Sequence, residues 1–264
     1  MAGDRRYLID VGIRDLPFPM RVESRVDEEG QQTIGNISIT ARIMQEFEAR
    51  WIDRFIRIVH QHRDRIGTKT LRTNIMDYVR ELNASSVKID FEYPFFVEKL
   101  TPVSGENCLV RYMCSYTAQY PSPEGEPKIL FKIEIPVITT YPGSDSNTPG
   151  GLFGQLSVLD VEVESRNSIY PEDLVEIADD HALAPVYSFL GEEDQKRIIQ
   201  RVHSEEKSSV VVTDEIRQEL AKDPGIGWYS VRCFNYGMLH SYSTVITTEK
   251  SSWVPFSSLD HQDI

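Results

Sequence analysis

The chain has 264 residues, with 28 Lys+Arg against 41 Asp+Glu and a formal net charge of −13 at pH 7. That length holds one large domain or two small ones, and 40% hydrophobic with 26% charged residues excludes a disordered chain. The acidic balance disfavours nucleic acid or an anionic membrane as partner, and no run reaches the ~20 apolar residues of a membrane span.

In chain order, Tyr7 to Ile13 is short and apolar and reads as a strand ended by Asp15-Leu16-Pro17. Ile37, Ile39, Ala41 and Ile43 alternate with polar residues, which predicts a half-buried strand. Trp51, Ile52, Phe55, Ile56 and Val59 recur at helical spacing, and Leu71, Ile75, Val79 and Leu82 mark a second helix. Val87, Ile89, Phe91 and Tyr93 alternate again until Pro94, and Leu109 to Tyr116 is a further strand. The Pro/Gly cluster 121–127 breaks the pattern as a hairpin tip or linker. Ile129 to Thr139 is a strand, 141–151 a loop, and Leu159, Val161 and Val163 alternate. Pro171 opens a helix with Glu172 and Asp173 in its first turn. Helical stretches follow over Glu192 to Val202 and Val211 to Leu220, then strands over Trp228 to Phe234 and Ser241 to Thr248 and a polar tail from Lys250.

The order is strand-strand-helix-helix-strand-strand, twice. It lacks the strand-helix alternation of a parallel nucleotide fold, and the chain holds no GxGxxG, P-loop or HExxH sequence. An α+β fold of two antiparallel units is expected, 1–120 and 121–250, with helices on one face and 251–264 as a tail. Open sheet edges are hidden by closing several copies into a barrel, so an oligomer is expected. Cys108, Cys114 and Cys233, odd in number and in apolar surroundings, read as reduced core residues of a cytoplasmic protein. The start Met1 to Arg6 lacks a following apolar stretch, so no signal peptide is expected and the sequons at Asn36 and Asn83 read as chance matches.

Three stretches carry a resemblance. They are Val11 to Leu16 with Pro19 to Val22, the segment Tyr93-Pro94-Phe95-Phe96-Val97-Glu98-Lys99-Leu100-Thr101-Pro102-Val103-Ser104-Gly105, and Asn235 to Ser243. Together they resemble the type IB GTP cyclohydrolases, members of the tunnelling fold (T-fold). The resemblance implies a tandem T-fold and a homotetramer with sites between subunits. It also implies production of dihydroneopterin triphosphate from GTP with a divalent metal.

Against that family the chain departs at the metal. The family's Cys-Pro-Cys, whose first Cys binds metal, corresponds to Tyr141-Pro142-Gly143, and the ligand His twelve residues on corresponds to Phe153, before Gly154-Gln155. The ligand Glu aligns with Pro185, the guanine-anchoring Glu with Gln200, and a further Glu with Gly237, three positions before the retained His240. A catalytic divalent ion takes about three protein donors, and phenyl and pyrrolidine groups donate nothing, so no metal and no cofactor is expected. Gln offers one acceptor and one donor face where a carboxylate offers two acceptors.

Imidazole as a class titrates near neutrality, which makes His240 the leading catalytic candidate, with Glu98 and Tyr141 as further proton-handling groups. Lys99, Ser104, Phe153, Gln155, Pro185 and Gln200 are the candidate substrate-binding residues, with Ser157 just beyond as a structural neighbour. The Tyr141, Phe153 and Pro185 positions give an apolar, aromatic wall suited to a flat ring, and the glycines of 143–151 suggest a mobile lid. His60 and His62, with Arg57, Arg63 and Arg65, read as the solvated basic end of a helix, since i,i+2 residues do not share a helical face. His181 and His203 read as exposed, and Glu192-Glu193-Asp194 and Glu205-Glu206 as solvated helix surface. Asp145 and Asp160 are carboxylates in or near the loop that follows Tyr141, and a new metal site could be built from Asp145, His240 and others.

Three readings stand at this point. The first is a metal-independent acid/base enzyme for a planar aromatic or heteroaromatic metabolite (cyclisation, isomerisation or hydrolysis). The second is a non-catalytic protein that binds a pterin or purine. The third is a GTP cyclohydrolase proper. All three take a small-molecule ring, with no nucleic acid and no membrane.

Overall fold

Two long runs of period-two sequence open the chain and pair as an antiparallel hairpin, β1 (Leu8–Val22) with β2 (Gln31–Met44). The computed structural model describes residues 8–44, 51–122, 125–147 and 149–250. Tyr7, the centre of the 121–127 cluster and the tail 251–264 lie outside the described residues. β1 does not stop at Asp15-Leu16-Pro17. The register shifts between Ile13 and Leu16, and Asp15 takes φ 53° in this bulge with its N–H on Ser38 Oγ, 3.1 Å away. Pro17 is tolerated because β1 is an outer strand.

The first helical pattern forms α1 (Trp51–His62) and the second α2 (Thr68–Leu82). α2 ends where Asn83 adopts the left-handed conformation at φ 48°. β3 (Ser86–Leu100) also runs past its expected end at Pro94. Its pairing with β2 covers Ser86 to Glu92 only, so the N–H that Pro94 lacks is not required by that ladder. Then come β4 (Asn107–Tyr120), β5 (Lys128–Thr140), β6 (Gly154–Ser165), α3 (Pro171–His181) and a two-residue strand β7 (Ala184–Pro185). The chain closes with α4 (Glu192–Ser204), α5 (Ser209–Lys222), β8 (Ile226–Tyr236) and β9 (Thr244–Glu249). The strand order is β1-β2-β3-β4-β5-β6-β8-β9, with β7 on β5.

The described residues fall into two units. The first takes those within Met1–Phe95, Met113–Phe131 and Glu164–Tyr170. In it Ile37, Ile39 and Ala41 lie opposite Phe91, Ile89 and Val87 in register, and Phe55, Ile58, Leu71, Ile75 and Tyr78 are buried on the helices. Burying a side chain of that size contributes about 1.5–3 kcal/mol. The second unit takes those within Phe96–Tyr112, Lys132–Val163 and Pro171–Ile264. Its core joins Ile133, Ile135 and Val137 of β5, Leu159 and Val161 of β6, and Val231 and Cys233 of β8 to Leu174 and Ala178 of α3 and Val212, Ile216 and Leu220 of α5. All three cysteines are buried and outside any disulfide, and burial pushes the Cys233 thiol up to about 11. Among the described residues no helix is long and apolar enough to cross a membrane.

Candidate functional site

Every candidate site residue named from the sequence lies in the second unit. β5 ends at Thr140, and the next residue, Tyr141, donates its N–H to the Phe153 carbonyl at 2.9 Å. This closes the 141–153 loop at its base and lays the two rings in a stack, centroids 4.9 Å apart and 18° from parallel. Two glycines make room for the Tyr141 ring. A Cβ at Gly143 falls 2.9 Å from its Cε1, and one at Gly237 falls 3.0 Å from its Cε2. Tyr141 is only 7% exposed, so the ring packs as a plug rather than as an open wall.

Beneath the stack runs a buried polar chain. Gln155 Nε2 donates to Thr139 Oγ1 (3.3 Å), the Thr139 and Ser157 hydroxyls are 2.8 Å apart, and Ser157 donates to Asn235 Oδ1 (2.8 Å). Asn235 Nδ2 then donates to Ser209 Oγ at 3.1 Å. Each polar group is satisfied, which rigidifies the floor under Tyr141. Gln155 and Ser157 stand out in the sequence beside the Phe153 position, whereas Asn235 stands out only as the start of the third resembling stretch.

Lys99 forms a second centre. Its side chain is 8% exposed, its ammonium pairs with Asp179 of α3, and it lies 5.4 Å from the Tyr112 ring centroid and 5.8 Å from that of Tyr187. Burial raises the Asp179 carboxyl above its ordinary value, against the pull of Lys99. Lys99 is therefore committed to an internal ion pair, with two aromatic faces around it.

Ser104 sits in a turn that is bonded to itself and to α4. Glu106 N–H donates to Thr101 Oγ1 (2.9 Å), and the Thr101 and Ser104 hydroxyls are 2.7 Å apart. Ser104 Oγ donates to Asp194 Oδ2 at 2.8 Å. Asp194 Oδ1 accepts the N–H groups of Val103 (2.8 Å) and Ser104 (3.0 Å), and Oδ2 also accepts that of Gly191 (3.2 Å). Asp194 is fully buried, not part of a solvated helix surface. Burial pushes its carboxyl up, but the Ser104 backbone and hydroxyl and the Val103 and Gly191 N–H groups outweigh that and hold it below the ordinary value. The available signal was its place at the third position of α4, where a carboxylate reaches back to backbone N–H groups.

His240 is exposed, its ring stacked on Tyr242 at 4.9 Å, and Glu98 is exposed on β3. Pro185 is paired through β7 to Val137, and Gln200 is exposed on α4. His203 places Nδ1 2.5 Å from the Leu152 carbonyl, so that nitrogen donates. His181 is not free in solvent; it lies 3.1 Å from Glu215 and 3.6 Å from Glu219. Asp160, buried at 5%, takes Lys132 at 3.1 Å and Arg232 at 2.8 Å. It is an ion-pair partner of these two cations.

At the positions where the resemblance puts a thiolate and an imidazole, the side chains are a buried phenol and a phenyl ring in mutual contact. The third position is a proline in a strand pair. This donor set does not fit a catalytic divalent ion, and no group of three His, Cys, Asp or Glu suited to a metal occurs among the described residues.

A family model described as type I GTP cyclohydrolase folE2 matches residues 4–245. The chain is 28% identical over 240 residues to the GTP cyclohydrolase FolE2 of Geotalea uraniireducens, covering 91% of this chain and 87% of that protein. It is 25% identical over 240 residues to the protein of the same name from Kosmotoga olearia, covering 91% and 92%. Among solved structures it is similar to the uricase of Arthrobacter globiformis, with TM-score 0.55, 8% identity, and 96% and 98% of the two chains covered. The uricase of Bacillus fastidious gives TM-score 0.55, 8% identity, and 91% and 92% coverage. The uricase likeness is one of fold, and it agrees with a tunnelling-fold architecture.

Proposed function

This chain belongs to the type I GTP cyclohydrolase folE2 family, and on that premise we propose that it acts on GTP as a cyclohydrolase. The overall change is GTP plus water to formate plus dihydroneopterin triphosphate. The match over residues 4–245 carries this reading, together with the relatives' shared name. In this reading His240 moves the proton during opening and reclosure of the ring. Lys99 and Ser104 of the 101–106 turn belong to the substrate-binding wall in this reading. The protein works as a homo-oligomer, a tetramer by resemblance, built from tandem halves 1–120 and 121–250, in the cytoplasm.

The finer part of the proposal concerns the metal. Because Tyr141 and Phe153 pack against each other, no step runs through an ion held at 141, 153 and 185. The same stack favours a second reading, a metal-independent acid/base transformation of another planar ring.

Incubation of purified protein with GTP, followed by chromatography for a fluorescent pterin and assay of formate, tests the first reading. Both products are expected in equal amounts. His240→Ala is expected to lower kcat about 100-fold with an unchanged circular dichroism spectrum. Untouched GTP contradicts the cyclohydrolase reading and leaves the second. A purine or pterin that binds without being changed identifies a binding protein instead.

A further inference from the structure

α4 is held at both ends by segments that carry the candidate site. Its first turn contributes Asp194, which accepts two N–H groups and one hydroxyl from Val103 and Ser104. Its last turn contributes His203, which donates to the Leu152 carbonyl next to Phe153. Just past its end, the Lys207 N–H donates to Thr140 Oγ1 at 2.7 Å and the Lys207 carbonyl accepts from Thr140 N at 2.8 Å, one residue before Tyr141. A 13-residue helix is about 18 Å between its first and last residues. It is thus a stiff bar that sets the spacing of the 101–106 turn from the 140–153 loop.

We propose that Asp194 is a positioning residue of the active site, acting through the Ser104 turn and the rigid α4. The assignment rests on the cyclohydrolase reading above for what is being positioned, but the clasp itself does not. The hydrogen bonds run in one direction, from Glu106 N–H through the Thr101 and Ser104 hydroxyls to the Asp194 carboxylate. A carboxylate is needed at the end, because all four groups that face it donate. An amide oxygen can serve two of them, but the amide nitrogen meets the other donors with hydrogens of its own. The negative charge also sits in the first turn of α4, where the helix dipole favours it. Gly105 completes the turn at φ 66°, with open space around its missing side chain. The turn therefore has no packing to hold it on that side, and Asp194 supplies the restraint.

The test is Asp194→Asn in the full chain, with Ser104→Ala as the milder variant, read by amide exchange and by GTP kinetics. Exchange at 101–106 is expected to rise about tenfold or more, since buried donors lose their acceptor. KM for GTP is expected to rise about tenfold in Asp194→Asn while kcat stays within about twofold. Ser104→Ala, which removes one of the bonds, is expected to fall between it and the parent. Unchanged exchange overturns the clasp. Faster exchange with KM unchanged overturns the positioning role and leaves a purely structural one. Parent protein that leaves GTP untouched overturns the assignment together with the cyclohydrolase reading, and the exchange result then shows separately whether the clasp exists. If Asp194→Asn does not fold, Ser104→Ala alone decides by the same two readouts.

Discussion

Lys99 shows what a single residue commits to when it is buried. Its ammonium has Asp179 beside it and two tyrosine faces around it, and the side chain is 8% exposed. Removing one partner leaves the other charge in a poor solvent, so Lys99→Met is expected to destabilise the protein by about 3 kcal/mol. The double variant Lys99→Met with Asp179→Leu is expected to recover much of that loss. Denaturant unfolding of the two single variants and the double reads the coupling directly; additive losses contradict a buried pair. Gly237 is a quieter case. A methyl group there falls 3.0 Å from the Tyr141 ring, so Gly237→Ala is expected to cost about 1–3 kcal/mol and to change the near-ultraviolet dichroism of Tyr141. An unchanged spectrum and stability contradict the tight fit of the stack.

At the scale of elements, Asp194 also makes α4 sensitive to acid. Its folded-state value lies below the ordinary 3.8, so the stability it contributes is full above that value and is lost as pH falls below it. Asp194→Asn is expected to flatten the loss of stability below about pH 4 and to leave the slope above pH 5 unchanged. Thermal melts between pH 3 and 6 check this, and parallel profiles for parent and variant contradict it. The consecutive acids Glu192, Glu193 and Asp194 predict a solvated surface, and the sequence alone does not single out Asp194. Which of the three turns inward depends on the 101–106 turn, nearly a hundred residues away in the chain. Period was legible: the alternation of Ile37 to Ile43 and the spacing of Phe55, Leu71 and Ile75 are the core of the first unit. Strand ends were not. Asp15 and Pro94 are breakers only where a ladder needs their backbone, and whether it does is a property of the neighbouring strand. The convergence of Tyr141, Phe153, Gln155 and Gly237 is visible only once the 141–153 loop closes through its backbone bond. By contrast His240, a clear candidate by its chemistry, lies exposed against Tyr242.

At the scale of the whole molecule, β1 and β9 stand at the two ends of the strand order, and among the described residues the outer side of β1 is bridged only near its end, from Val22 to Ile66. Unpaired edges invite another chain, so light scattering after size exclusion is expected to give a multiple of 30.3 kDa, four by resemblance. A monomer contradicts the assembly. Chelation decides the remaining question, because the proposal separates the family's reaction from a metal held where the family holds one. The measurement is GTP turnover before and after exhaustive chelation, with the metal content of the same samples determined by mass spectrometry. The account predicts well under one metal ion per chain and a rate that chelation changes by less than about twofold. One ion per chain, with turnover lost on chelation and restored by adding manganese, contradicts it.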